Sequence, residues 1–353
     1  MSSIAMPYKV EIFRHSYFRL ACVVVGVSLF VYWGVREYRY QTSPIAPDRQ
    51  AIVAATIELM RSNSVVGSQV NWGAMQTEAT AIADRAGNEI DLDRALSYMA
   101  ASLDDGHSAY FSRSQAESFN GTLADRFTSS ITSEIVEVDG VPLVSVNGFL
   151  SMDSDLARIA AGKLRGQVEK AIDATKCGVI IDLTKNSGGN MYPMLSGLLP
   201  LLPDGILLQY ESVGGARTVV RSNLGAIDFG NQQIVPPVQS KHDLVAKSAP
   251  TAIILGQSTG SAGEMVAIAF KARSDVRSFG QPTAGALTGN TPYKLKNGGI
   301  LALATSWTLD GHGRKYVESL VPDETIVGIN SASKARKRAA SWVQLQCGAA
   351  ISH

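Results

Sequence analysis

Cysteine is scarce in this 353-residue chain: Cys22, Cys177 and Cys347 are too few and too scattered for a disulfide scaffold or a zinc site. An excess of either charge is missing too. With 32 Lys and Arg against 31 Asp and Glu, there is no broad basic surface for a nucleic-acid backbone and no acidic tail. No metal-binding box, Walker loop or dinucleotide fingerprint occurs, so no metal or organic cofactor is expected. Internal repeats and low-complexity tracts are also lacking. What is present in quantity is apolar sequence: 45% apolar residues against 18% charged ones exclude wholesale disorder and allow a sizeable core.

Only one apolar run is long. Leu20–Val35 is free of charge, and Tyr17, Tyr32, Trp33, Tyr38 and Tyr40 sit at its ends, where an aromatic belt would lie. The run lacks the small residues of a cleavage site, so it predicts an uncleaved transmembrane anchor over 18–36, preceded by a short segment, 1–17. Basic residues flank it equally on both sides and do not orient it. Pro44 and Pro47 mark a linker over 37–47. Helical periodicity and N-cap signals then predict a helical lobe over 48–118. From 130 to 330 the pattern changes to strands alternating with helices, which include a hairpin at 135–146 and the buried strands 178–183 and 251–255. This is an α/β layered core, followed by a basic helix and tail over 331–353.

Three short stretches hold candidate chemistry. In Gly256–Glu264 a serine, Ser261, stands where a buried strand meets a helix, with free N–H groups and a positive dipole end beside it. That suits a nucleophile whose attack creates an oxyanion, which the Ala262 N–H can help to hold. Ser261-x-x-Glu264 is equally a capping box. In Asn186–Asn190, Gly188 and Gly189 let the backbone turn sharply and aim N–H groups into a site, or simply make a tight turn with Asn190 as N-cap. In Leu103–Ser108, His107 follows a glycine turn and could serve as a base near neutral pH. His312, in Asp310-Gly-His-Gly-Arg314, is its rival.

In this order and spacing the stretches resemble the C-terminal processing peptidases (tail-specific proteases) and their tricorn-core and interphotoreceptor retinoid-binding relatives. Asp182-Leu183 with Asn186-x-Gly188-Gly189, Ser261-Ala262-Gly263-Glu264, Gly280-Gln-Pro-Thr-Ala-Gly285 and Val321-Pro322-Asp323 carry the likeness over about Leu103–Asp323. The resemblance implies a crotonase/ClpP-like layered core and a serine endopeptidase acting on protein or peptide substrates. Ser261 would be the nucleophile, His107 the base, and Gly188, Gly189 and Ala262 the oxyanion hole. Glu318 or Ser108 would assist His107. Bacterial processing peptidases place a lysine base where this chain has Ala286, while Leu103-x-Asp-Gly-His107 matches the tricorn-like branch. There is no room for a PDZ domain between the lobe and the core. The resemblance also implies an extracytoplasmic, periplasmic domain, in which Cys177 and Cys347 could pair. A catalytically inactive binding protein on the same fold, or a crotonase-type acyl-CoA enzyme, are the alternatives.

Overall fold

The computed structural model describes residues 48–85, 89–119, 131–151, 153–175, 177–223, 225–235 and 248–351. Three helices open it: α1 (Arg49–Asn63), α2 (Trp72–Asp84) and α3 (Glu89–Ala101). Asp48 accepts the Ala51 N–H at 3.2 Å and Asn71 the Ala74 N–H at 3.1 Å, so each of the first two starts on a side-chain cap. Ile52, Val53, Ile57 and Met60 recur at helical spacing on α1 and pack with Met75 and Ala79 of α2 and Leu92, Leu96 and Met99 of α3. The lobe does not close on itself. Leu295, Leu301 and Leu303 complete its core from a neighbouring sheet.

That sheet is antiparallel. It comprises β1 (Ala109–Phe111), β5 (Gly205–Ser212), β6 (Arg217–Asn223), β7 (Ala226–Phe229), β8 (Gln232–Val235), β11 (Thr288–Lys294), β12 (Ile300–Asp310) and β13 (Lys315–Tyr316). The 11-residue β12 is its spine and pairs with β1, β5, β11 and β13. A second sheet has the order β14 (Glu324–Thr325), β10 (Val276–Gly280), β9 (Thr251–Leu255), β4 (Val179–Asp182), β3 (Val141–Ser145) and β2 (Val136–Val138). It is parallel except for the β2–β3 hairpin.

Both faces of this second sheet are covered, which is why β4 and β9 read as unbroken apolar runs. Ile181, Ile253 and Leu255 face α5 (Ser154–Thr175), α6 (Met191–Leu198) and α7 (Ala262–Ala269), which lie between the two sheets. Ile180, Ala252 and Ile254 face the other way, onto Ala335, Ala339 and Val343 of α8 (Ser331–Ile351). A disulfide between Cys177 and Cys347, with Cα atoms 5.9 Å apart, staples the start of β4 to α8. A short helix, α4 (Arg113–Phe119), follows β1.

The layered α/β core agrees with the sequence reading, but the membrane part of that reading is corrected. No helix among the described residues is long and apolar enough to cross a membrane. Of the two longest, α5 carries Lys and Arg along its length and α8 carries four between Lys334 and Arg338. Residues 18–36, where the anchor was expected, lie outside the described residues. The expected anchor, the membrane as a partner and the periplasmic placement therefore have no structural support and are not carried further.

Candidate active site

β4 and β9 are neighbours in the parallel sheet, and each runs through a glycine-bearing loop into a helix. The two loops are joined directly. The Gly260 N–H donates to the Asn186 carbonyl at 2.9 Å, and Thr259 Oγ1 donates to the Leu183 carbonyl at 2.9 Å. Gly263 completes the approach, because a Cβ there would lie 2.5 Å from the Asn186 carbonyl oxygen. The turn before α7 leaves Ser261 at φ 48°, ψ −117°, backbone that a residue with a Cβ rarely adopts. Ser261 is 1% exposed and its Oγ lies 3.0 Å from Nε2 of His107.

His107 arrives from the far side of the chain, on the loop between α3 and β1. Asp104 at φ 48° and Gly106 at φ 70° reverse the chain there. Asp105 then accepts the N–H groups of His107 and Ser108 at 2.9 and 2.7 Å and the Ser108 hydroxyl at 2.6 Å. Ser108 Oγ in turn accepts the Ala304 N–H at 2.9 Å, so it pins the loop to β12 and does not bond the imidazole. β11 holds the histidine from the other side. Asn290 Nδ2 donates to the His107 carbonyl at 2.9 Å, and Thr288 Oγ1 lies 2.8 Å from Nδ1. Burial drives the His107 pKa down to about 4, against opposing pulls from the Asp105 charge and the Thr288 backbone.

Beside this pair, Gly188 and Gly189 turn at φ 120° and 109°. A Cβ on Gly189 would overlap the Phe149 carbonyl. The Gly188 N–H donates to Asn186 Oδ1 at 3.1 Å, while Ala262 is the first residue of α7, where N–H groups lack intrahelical partners. Asn190 caps α6 in relaxed extended backbone, accepting the Tyr192 N–H at 3.0 Å. Ser261 and Glu264 also form a capping box, so capping and exposure to an imidazole coexist at one residue. The fully buried Glu264 carboxylate accepts the Ser261 N–H at 2.8 Å, the Gly285 N–H at 2.8 Å and the Thr283 hydroxyl. Burial lifts its pKa to about 7 in spite of these donors.

Several expected residues sit elsewhere. Glu318 is exposed on the strand-to-loop segment after β13 and lines a separate cavity of about 450 Å³ with Lys271, Arg314 and Leu320. It makes no bond to His107; the space at Nδ1 is taken by Thr288. His312 is exposed in the β12–β13 turn, its N–H on Asp310 Oδ1 at 2.9 Å. Ala286 is buried, 4% exposed. Among the described residues no cluster of His, Cys, Asp and Glu is placed to hold a metal ion. Thr288 and Asn290 escape the motif reading. Their signal is weak but present, since both lie just past the Gly-x-Pro-Thr-x-Gly segment and two residues apart on one strand face.

Comparison with known proteins follows the same lines. The chain is 30% identical over 169 residues to the nisin-resistance protein of Lactococcus lactis subsp. lactis, a match covering 48% of this chain and 50% of that relative. It thus spans about half the length of that relative. Its fold is similar to that of a lipoprotein from Streptococcus agalactiae, with a TM-score of 0.69 and 22% identity over 88% of this chain and all of the other. The model of peptidase family S41 matches residues 143–326, more than half of the chain and all of the strands and helices that carry Ser261 and Gly188–Gly189. The chain belongs to peptidase family S41.

Proposed function

We propose that the protein hydrolyses peptide bonds with Ser261 as nucleophile and His107 as general base. The observation that carries this is the 3.0 Å separation of Ser261 Oγ from His107 Nε2, at a serine held in strained backbone. Ser261 Oγ attacks the peptide carbonyl carbon while its proton passes to Nε2. The oxyanion so formed is held by the Ala262 N–H and one N–H of the Gly188–Gly189 turn. On collapse the C–N bond breaks, His107 protonates the leaving amine, and an ester remains on Ser261. Water then attacks the ester, giving its proton to His107, and the acid product leaves as Ser261 regains a proton. Residues 130–330 supply the nucleophile and oxyanion groups, and the lobe at 48–118 supplies the base.

The name of the relative supports one substrate class, a peptide antibiotic of the nisin kind. A binding-only role gives no account of a buried imidazole aligned on a strained serine. The test is incubation of the full chain with nisin, followed by mass spectrometry of the products. Cleavage by the wild type, reduced at least about a thousandfold in Ser261→Ala, is the expected result. Equal cleavage by both forms would remove Ser261 from the chemistry, and intact nisin with cleavage of other peptides would remove only the substrate assignment.

A further inference from the structure

The geometry points to Thr288 as the residue that positions and polarises His107, a hydroxyl standing where a serine-peptidase triad commonly uses a carboxylate. This inference rests on the reading of Ser261 and His107 as nucleophile and base. Thr288 Oγ1 lies 2.8 Å from Nδ1, the nitrogen opposite the one that faces Ser261. Both side chains are buried, Thr288 at 8% and His107 at 2% exposure, so no bulk water competes for Nδ1.

A base towards Ser261 needs its lone pair on Nε2, so in the competent tautomer Nδ1 carries the hydrogen and Thr288 Oγ1 accepts it. Asn290 strengthens the grip from the same strand face by binding the His107 carbonyl. β11 thus holds one residue by its backbone and by its ring.

A neutral partner has a chemical consequence. The charged group acting on the ring is Asp105, on the same loop, and its carboxylate is committed to Ser108 and to the His107 N–H. Ser261 and Thr288 present hydroxyls to the ring, Asn290 bonds the His107 backbone carbonyl, and the Glu264 carboxylate behind the Ser261 turn is committed to the Ser261 and Gly285 N–H groups and the Thr283 hydroxyl. With no carboxylate on Nδ1, the imidazole stays neutral, and competent as a base, to lower pH than in an Asp-supported triad.

The experiment measures the rate of Ser261 modification by a fluorophosphonate probe in the full chain, from pH 3.5 to 8. Wild type should label with an acid limb near pH 4. Thr288→Val should label about 10- to 100-fold more slowly across the plateau, and Thr288→Ser should recover to within about threefold. Thr288→Asp, which puts a charge beside Nδ1, should move the acid limb upward by about one pH unit or more. A threonine with no part in holding the ring would leave the plateau rate of folded Thr288→Val at the wild-type value, whatever a charge at this position does to the limb in Thr288→Asp. Labelling of Thr288→Val at the wild-type rate with an unmoved limb overturns the inference while leaving the Ser261–His107 reading intact. Absence of wild-type labelling at Ser261, or full labelling in His107→Ala, overturns both. Nitrogen-15 NMR of the wild-type histidines needs no variant to fold: a His107 hydrogen on Nδ1 supports the assignment, and one on Nε2 contradicts it.

Discussion

The two strand-to-helix junctions, β4 into α6 and β9 into α7, start from nearly the same materials and end differently. Each follows a buried parallel strand, each turns through glycine, and each places a small polar residue at the helix start. Asn190 sits at φ −79°, ψ 107° and spends its side-chain oxygen on the Tyr192 N–H, and its Nδ2 on the Ser151 carbonyl at 3.2 Å. Ser261 sits at φ 48°, ψ −117° and directs its Oγ to an imidazole that comes from 154 residues away. A relaxed cap stabilises its own helix. A strained one is held in place by the rest of the fold, here by the Glu264 carboxylate and the Asn186 loop, and its hydroxyl remains aimed at a reactive partner.

Substitution at the two caps should separate these roles. Ser261→Ala removes peptide hydrolysis by several powers of ten with a stability loss no larger than that of Asn190→Ala, whereas Asn190→Ala keeps hydrolysis within about tenfold and lowers stability by about 1–2 kcal/mol. Paired chemical denaturation and turnover assays measure both. Equal losses of activity in the two variants would erase the distinction between the junctions.

The pH dependence of stability sharpens it further, because the Ser261 site brings together two oppositely shifted groups, Glu264 behind the serine and His107 in front of it. His107 falls from its ordinary 6.5 to about 4, so as pH drops the unfolded chain takes up that proton first. Its contribution is intact above pH 6.5 and is lost progressively towards pH 4, by about 3 kcal/mol. Glu264 rises from 4.5 to about 7, so the folded chain binds its proton first. Its contribution is complete below pH 4.5 and is lost as pH rises through 7, again by about 3 kcal/mol. The slopes oppose each other between pH 4.5 and 6.5. Denaturation midpoints across that window should therefore stay flat in the wild type, fall with rising pH in His107→Ala, and rise with pH in Glu264→Gln. Parallel slopes in the two variants would contradict the assignment of the shifts.

The smallest effect concerns strain itself. Glycine tolerates the Ser261 backbone and alanine does not, so Ser261→Gly should be more stable than Ser261→Ala by about 1 kcal/mol. At Asn190 the order should reverse, or the difference should fall to a few tenths of a kcal/mol. Differential scanning calorimetry of the four variants resolves it.

The same contrast explains how far the sequence alone could be read. β4 and β9 are continuous apolar runs buried on both faces, and their following loops carry dense glycine signals, so strands, junctions and Ser261 were all visible. His107 was visible through its Asp-Gly turn. β11 was not. Thr288-Gly-Asn-Thr-Pro-Tyr-Lys294 has no apolar alternation, and Pro292 argues against a strand except at a sheet edge. It is a strand because β12 pairs with it, Pro292 opposite Ala302, and that long-range pairing has no local signature. Thr288 went unread for the same reason. The expectation for Glu318 came from the family resemblance, but the residue is exposed after β13 and the imidazole's Nδ1 faces Thr288 instead. The anchor expectation rested on local apolarity within residues that the structure does not describe.

One double-mutant cycle tests directly whether Ser261 and His107 act as a unit. Peptide hydrolysis is measured for the wild type, Ser261→Ala, His107→Ala and the double variant, on any peptide the wild type cleaves. If the two side chains share one proton transfer, the double variant is no slower than the slower single variant. If their losses multiply in the double variant, the hydroxyl and the imidazole act independently, and the central claim fails.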